Sequence, residues 1–442
     1  MIKAIHSLGK SPLFWITVLL IQTLGLSGQS LDSVNRCATM ESYWFGLRSR
    51  GDSSHPLEIA NQRINAYLAE KKALRQTEFE VINIPVVVHV IHNEPSGAIG
   101  GSGNANITEE QIRSQIRILN EDYRKIPGTP GDNDNPVGVD TKIGFYLADV
   151  APDGSQTNGI TRTYYSAKSV FNPYADAQLL AGIISWPTDQ YLNIWVCALS
   201  GNYLGVAQFP SLSGFPGLDD SQAEEALTDG VIIDYRAFGD RGAVPSNNYD
   251  MGRTTTHEVG HWFGLLHIWG DARCGDDYCD DTPWAEGSNT TSCNERFSNC
   301  RGSRTRNMIE NYMDYSPDRC MNIFTFNQME RMHAVLELSP RRAKLVENAR
   351  KAKLEESEKL QVQVFPNPVV DKMVNVEIRH KGYQDVTISI TDLQGHVHET
   401  SRIEKMWSRL VSLPVSNLSR GVYLLVISNE SGEKNVSRFV VN

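Results

Sequence analysis

The chain reads as a mixed α/β (α+β) domain with a twisted sheet and one central helix, followed by a small all-β sandwich. Three observations predict this. Between residues 84 and 338, β-branched runs alternate with apolar positions at helical spacing. From 341 to 360 the chain is charged and helix-prone. From 361 to 442, short runs alternate apolar and polar residues between turn-forming tetrapeptides. A length of 442 residues exceeds one ordinary domain, so two or three folded units with connecting pieces are expected.

Residues 29–79 are polar, with Leu57, Ala60, Ile64, Tyr67 and Leu68 at helical spacing. A pro-segment over 29–80 and a plain N-terminal extension both suit them. The main domain is placed at 81–340. Its first strand is the β-branched run Ile84–Ile91. Thr108-Glu109-Glu110-Gln111 then opens a helix with the residues of a capping box, and Ile112, Ile116, Leu119 and Tyr123 supply its apolar face. Further strands are expected at 143–150, 191–199 and 230–235, a central helix from Asp250 to Leu266, and a last helix from Thr325 to about Leu338. Residues 341–360 suit a linker helix or a loose spacer. In the sandwich, strands are expected at Val374–Ile378, Val386–Thr391, Val422–Ile427 and Arg438–Val441. Hairpin turns fall at Asp392–Gly395 and Asn429–Gly432.

Hydrophobic residues make up 40% and charged residues 21%, the balance of a folded chain rather than a disordered one. The formal net charge is -10 and no long basic tract interrupts it, which argues against nucleic acid as a partner. Lys3 and Lys10 precede a short apolar run, Pro12–Ile21, and small residues follow at Ser27 and Gly28. That is the layout of an export signal over 1–28, cut near Gly28–Gln29. The run is short for a membrane anchor and no basic stop-transfer cluster follows it, so no spanning segment is expected after cleavage.

Seven cysteines are present, and five of them crowd between Cys274 and Cys320. In an exported chain such a cluster reads as disulfides stapling a loop-rich region. A second zinc site is the alternative, but paired C-x-x-C units are missing. The odd count leaves at least one thiol unpaired.

The residues that carry chemistry are His257-Glu258-Val259-Gly260-His261-Trp262-Phe263-Gly264-Leu265-Leu266-His267. Residues four apart share a helical face, so His257 and His261 can hold one zinc. Gly264 can take a positive φ and end the helix sharply, bringing His267 round as a third ligand. Three histidines leave a coordination position open, as a catalytic zinc requires. The expected reaction is hydrolysis by a zinc-bound water whose proton Glu258 accepts and later hands to the leaving amine.

This extended pattern resembles the metzincin clan of metallopeptidases. Asn311-Tyr312-Met313-Asp314-Tyr315 is similar to the clan's Met-turn. The surroundings resemble the pappalysin family, in particular its shorter ulilysin-like and cytophagalysin-like members. The carrying stretches are Gly205–Pro210, Gly252–Thr256, His267–Gly270, Asp280–Pro283 and Asp318–Met321. The resemblance implies that Met313 supports the histidines from below and that Tyr315 hydrogen-bonds the tetrahedral intermediate. It implies that Gly205, Val206 and Ala207 form an edge strand pairing antiparallel with an extended peptide. It implies disulfides Cys274–Cys300 and Cys293–Cys320, with Cys279, a departure from the pattern, meeting Cys197 or staying free. Relatives bind calcium in this region, and Asp276, Asp277, Asp281 and Thr282 offer suitable oxygens; a solvated acidic loop is the alternative. Asp318 would lie at the base of the pocket for the side chain after the scissile bond and favour Arg or Lys. Cys37, alone in the N-terminal segment, would act as the fourth zinc ligand of a latent form, as related zymogens do. The enzyme's own preference would then allow cutting near Lys71, Lys72 or Arg75.

The C-terminal unit, 361–442, resembles the sorting domain of the type IX secretion system. The carrying residues are Pro366-Asn367-Pro368, Asp392-Leu393-Gln394-Gly395 and Leu418–Val426. The implied partners are protein or peptide substrates and the secretion machinery, and the implied destination is the outside of the cell or its outer membrane. A surface adhesin with an inert metzincin fold is the runner-up. The intact Glu258 and the open coordination position argue against it.

Overall fold

The computed structural model describes residues 34–49, 56–73, 79–211, 226–240, 248–290, 292–355, 360–370, 372–380, 382–407 and 409–441. The export-signal residues 1–28 and Arg75 lie outside them.

An unbroken β-branched run needs cover on both faces, and β1 (Ile82–His92) receives it as the spine of the main sheet. β2 (Ile143–Leu147) runs parallel to its first half and β3 (Ile160–Tyr164) parallel to its second half. On the other side lie β4 (Leu192–Cys197) and then β6 (Gly230–Asp234), both parallel. β5 (Gly205–Ala207) closes that edge antiparallel to β6. Sequence patterning missed β3, a partly buried ITRTY with no run of apolar residues.

One face of the sheet is covered by α3 (Glu109–Tyr123) and α5 (Arg253–Trp262). Val86, Val88, Val90, Ile194 and Val231 meet Ile112, Ile116, Leu119 and Val259 there. Thr108 caps α3, its hydroxyl accepting the Gln111 N–H at 3.2 Å. The other face packs Ile91, Trp195, Val206 and Ile232 against Phe171 and α4 (Ala177–Ile183). α6 (Phe326–Leu338) starts with a full capping box between Thr325 and Gln328.

The stretch expected as a linker is a packed helix, α7 (Pro340–Glu355). Leu345 and Val346 enter the main core. Arg341 donates to buried Asp229 at 2.7 Å, Arg342 also pairs with it, and the Arg342 guanidinium lies 3.8 Å over the Trp262 ring. These contacts tie α7 to the far end of α5.

The N-terminal segment carries α1 (Thr39–Ser49) and α2 (Pro56–Ala73). Ala60 and Ile64 of α2 pack on Ala334 and Val335 of α6. Lys71 and Lys72 lie inside α2, paired with Glu337 at 3.2 Å and Glu330 at 3.0 Å. α2 would have to unwind at these lysines before their backbone could lie extended in a cleft.

β7 (Phe297–Cys300) and β8 (Ser303–Arg306) pair as a small antiparallel hairpin, and among the described residues the C-terminal sandwich has seven strands: β9 (Gln361–Val370), β10 (Met373–Arg379), β11 (Gln384–Asp392), β12 (Val397–Met406), β13 (Arg409–Pro414), β14 (Gly421–Asn429) and β15 (Lys434–Val441). Their order is β12-β11-β14-β15-β9-β10-β13. Val374, Val376, Ile388, Ile390, Leu425, Ile427 and Phe439 fill its core. Among the described residues, no helix is long and apolar enough to cross a membrane.

Candidate active site

Every residue of α5 is buried, so its histidines must be satisfied inside the protein. The helix stops at Trp262 rather than Leu266, because Gly264 sits at φ +83°. The Gly264 N–H donates to the His261 carbonyl at 2.8 Å and the Leu265 N–H to the Gly260 carbonyl at 3.0 Å. This is the paired-bond helix ending that a left-handed glycine permits. It turns the chain so that His267 faces back at the helix.

Nε2 of His261 lies 3.1 Å from Nε2 of His257 and 3.1 Å from Nε2 of His267. The Nδ1 atoms all point outward to acceptors: the Tyr312 carbonyl at 2.7 Å, the Leu265 carbonyl at 2.8 Å and the Asp271 carboxylate. The protons therefore sit on Nδ1, and three Nε2 lone pairs converge on one point. Burial holds His257 well below its ordinary pKa and drives His261 down to about 3, so both stay neutral. Facing lone pairs repel unless a cation lies between them. A tetrahedral metal with bonds of about 2.05 Å separates its ligands by about 3.3 Å, close to what these rings show. Cys37 Sγ completes the set, all four donor atoms lying within 4.8 Å of one another. The residues present fit a zinc ion.

Glu258 is fully buried beside this cluster. Its Oε2 accepts the Thr39 hydroxyl at 2.8 Å and faces Cys37 Sγ at 3.5 Å. Burial pushes its carboxyl up to about 8, against the opposing pull of Thr39, Cys37 and Arg36. Met313 is fully buried, and its Sδ lies 2.5 Å from where a Cβ on Gly260 would stand. Glycine at 260 thus lets the Met-turn approach the helix, a role the motif spacing did not reveal. The Tyr315 ring lies 5.6 Å from His257 and 4.8 Å from His267.

Two further residues escaped the sequence reading. Asp271 holds the His267 ring by its Nδ1, and Trp269 stacks on that ring at 4.4 Å. A carboxylate four residues after a histidine ligand was the available signal for Asp271.

Asp318 is fully buried at the N-terminus of α5. Its Oδ2 accepts the N–H groups of Met251 at 3.0 Å and Arg253 at 3.2 Å. Its Oδ1 faces the guanidinium of Arg36 at 3.1 Å. Arg36 also donates to the Ser316 carbonyl at 2.7 Å and lies 4.9 Å from the Tyr249 ring. The chain around it runs along β5. Asn35 pairs in parallel with Tyr203, the Ala38 N–H donates to the Gly205 carbonyl at 2.9 Å, and the Ala207 N–H donates to the Thr39 hydroxyl at 2.8 Å.

Residues 181–337 match the family described as pregnancy-associated plasma protein-A. Mature mirolysin of Tannerella forsythia, solved with a cleaved peptide, is 38% identical with a TM-score of 0.53; the match covers 62% of this chain and 98% of that one. A promirolysin mutant from the same organism is 34% identical with a TM-score of 0.56, and covers 71% of this chain and 98% of its own. An extracellular metalloprotease of Colletotrichum graminicola is 29% identical over 65% of this chain and 89% of its own length.

The chain belongs to the pappalysin family.

It is accordingly a metalloendopeptidase. Residues 363–442 match a secretion-system C-terminal sorting domain, which makes this pappalysin a secreted or outer-membrane-attached protein. Its loop region is closed by disulfides Cys274–Cys300 and Cys293–Cys320. Cys37, Cys197 and Cys279 are free, buried thiols, so Cys279 does not meet Cys197. The four residues weighed for calcium are joined to their surroundings by hydrogen bonds. Asp277 accepts the Thr282 hydroxyl at 2.7 Å and the Cys279 N–H at 3.2 Å. Asp276 accepts the Tyr278 N–H at 2.8 Å, and Asp281 the Asn327 N–H at 2.8 Å. These bonds join the loop to itself and, through Asn327, to α6, while Oδ1 of Asp281 is buried without a partner. Among the described residues, the cluster at Cys37 is the only group of three or more His, Cys, Asp or Glu side chains within ligating reach.

Proposed function

We propose that this pappalysin is a zinc endopeptidase made as a latent precursor, and that it cuts on the N-terminal side of Arg or Lys. The observation that carries the proposal is the seating of Arg36. Its side chain fills a buried pocket ending on Asp318, directly beside Cys37 at the metal cluster. A native arginine thus occupies the place where a substrate's basic side chain would bind, and a buried carboxylate with one oxygen free for it supplies the selectivity.

The direction of the segment supports latency. An extended substrate would pair antiparallel with β5, whereas residues 35–39 run parallel to it. The inhibitory segment fills the cleft backwards, and its backbone is not presented for cutting. Cys37 would hold the fourth metal position, and Thr39 engages Glu258, so the metal and Glu258 would both be withheld from water. The wider coverage of this chain by promirolysin than by mature mirolysin is in keeping with a pro-segment over 29–80. The remaining proposed divisions are an export signal over 1–28, a catalytic domain from 81 that extends through α7, and a sorting domain over 361–442.

His257, His261 and His267 would hold the zinc, with Asp271 orienting His267. When bound, the ion supplies Lewis acidity to a water and to the scissile carbonyl. Glu258 takes a proton at Oε2 once Thr39 and Cys37 have left, and returns it to the leaving amine. Tyr315, beside two of the three histidines, donates its phenolic hydrogen to the developing oxyanion. Gly205 and Ala207 bind the substrate backbone, as they bind residues 38 and 39 in the latent chain.

The test is a peptide-library digest with the activated enzyme, with and without a chelator. The expected products begin with Arg or Lys and vanish with the chelator. Cleavage with no basic preference after the scissile bond would sink the Asp318 assignment. A Cys37→Ala precursor as latent as the wild type would sink the switch.

A further inference from the structure

Beyond Thr39 the N-terminal segment becomes α1, which roofs a cavity of about 470 Å³ on the opposite side of the metal from Asp318. The wall facing α1 is the chain end of β5 and the loop before α4. Two rings stand in it. Phe209 lies edge-on to His261, with centroids 5.5 Å apart, so the wall begins at the metal site. Tyr174 stands farther along, edge-on to Tyr203.

The roof answers with rings of its own. Tyr43 of α1 sits edge-on to Phe209 at 6.0 Å, and Phe45 lies tilted against Tyr174 at 5.6 Å. Among the described residues, none that lines it is charged. The contrast with the other side of the metal is complete, for there the pocket ends on a buried carboxylate facing a guanidinium.

The register says which substrate residues meet this wall. Arg36 marks the side after the scissile bond and Cys37 the metal. An antiparallel substrate therefore lays the residues before the scissile bond along Ala207, Gln208 and Phe209. When α1 leaves, Phe209 loses Tyr43 and Tyr174 loses Phe45, which opens one side of each ring to solvent.

We propose that Phe209 and Tyr174 form a subsite that selects an aromatic side chain within three residues before the scissile bond. The proposal rests on the reading above, of a peptidase cutting before Arg or Lys. An incoming ring restores the edge-to-face contacts now made by Tyr43 and Phe45, an effect of roughly two- to tenfold beyond the burial of the ring itself. A charged side chain would be stripped of water against a wall with no counter-charge, and is disfavoured.

The test measures kcat/KM for the enzyme activated from the full chain, on peptides carrying Arg after the scissile bond. Each of the three preceding positions carries Phe, Ala or Glu in turn. At one position Phe is expected to exceed Ala by about tenfold, with Glu below Ala. In Tyr174→Ala and Phe209→Leu, each checked for folding by its melting temperature, the Phe-to-Ala ratio falls towards one while Arg is still preferred after the scissile bond. Equal rates for Phe and Ala, with the Arg preference intact, overturn the subsite and leave the Asp318 reading standing. A Phe advantage that survives both substitutions overturns the assignment to these two rings. Loss of the Arg preference in the unmodified enzyme overturns the underlying reading instead.

Discussion

Replacing Asp318 by Asn isolates the charge that we propose recognises a basic side chain after the scissile bond. The carboxylate does two separable things. Its Oδ2 accepts the N–H groups of Met251 and Arg253 at the start of α5, and its Oδ1 faces the guanidinium. The asparagine side chain has the same shape and one carbonyl oxygen, so it keeps the first role and loses the second. Asp318 and Arg36 are both essentially fully buried, so solvent screening does not discount the loss. Removing one partner of a buried pair costs about 3 to 5 kcal/mol. The retained shape and acceptor place this case near the lower figure, and about 3 kcal/mol is roughly a hundredfold in kcat/KM. The assay compares matched peptides with Arg or Met after the scissile bond. Asp318→Asn is expected to lower kcat/KM for the Arg peptide roughly a hundredfold and to leave the Met peptide within a few-fold. An Arg-to-Met ratio unchanged within about twofold would refute the reasoning, because charge at 318 would then contribute nothing to recognition.

Three other outcomes follow from contacts around the site. Asp271→Ala frees the His267 ring to rotate and should weaken zinc binding about 10- to 100-fold, read by competition with a chromophoric chelator; unchanged affinity would show that stacking on Trp269 alone orients the ring. Gly260→Ala drives a methyl into Met313 Sδ and should destabilise the fold by roughly 1–3 kcal/mol, seen as a lower melting temperature. Burial raises the pKa of Asp229, but Arg342 and Arg341 outweigh it, and its carboxyl is held below the ordinary value. A depressed folded pKa stabilises above the unfolded value and is lost as pH falls through the folded one. Acid unfolding should therefore begin at higher pH in Asp229→Asn, with α7 releasing from α5; coincident acid transitions would contradict this.

How much of this was legible in the sequence depended on how far apart the partners lie along the chain. His257 and His261 are one helical turn apart, and their convergence follows from the period of the helix. Gly264 announced the turn that brings in His267. Four sandwich strands showed through because alternation is a property of neighbours, while β9, β12 and β13 did not. Asp271 was missed although it stands four residues from His267, because nothing local marks a carboxylate as bound to a ring rather than to water. α7 reads as a linker helix or loose spacer because its exposed face is charged; the buried Arg341 and Arg342 look the same in sequence as solvated arginines. In the acidic loop composition alone does not separate a cation site from a hydrogen-bonded loop: Asp276, Asp277 and Asp281 accept N–H and hydroxyl donors, while Oδ1 of Asp281 is buried without a partner.

By itself the sequence determined the α/β-then-β architecture, the three-histidine set and the glutamate between them, since each rests on spacing within a few residues. Tertiary structure alone decided that Arg36 reaches Asp318 and that Cys37 joins the histidines. It also decided that Cys279 stays free, and that the N-terminal chain runs parallel to β5. Arg36 and Ser316, which share the pocket, are 280 residues apart. No periodicity encodes such a meeting; it exists only once the sheet edge, the Met-turn and the N-terminal strand have folded around one metal site.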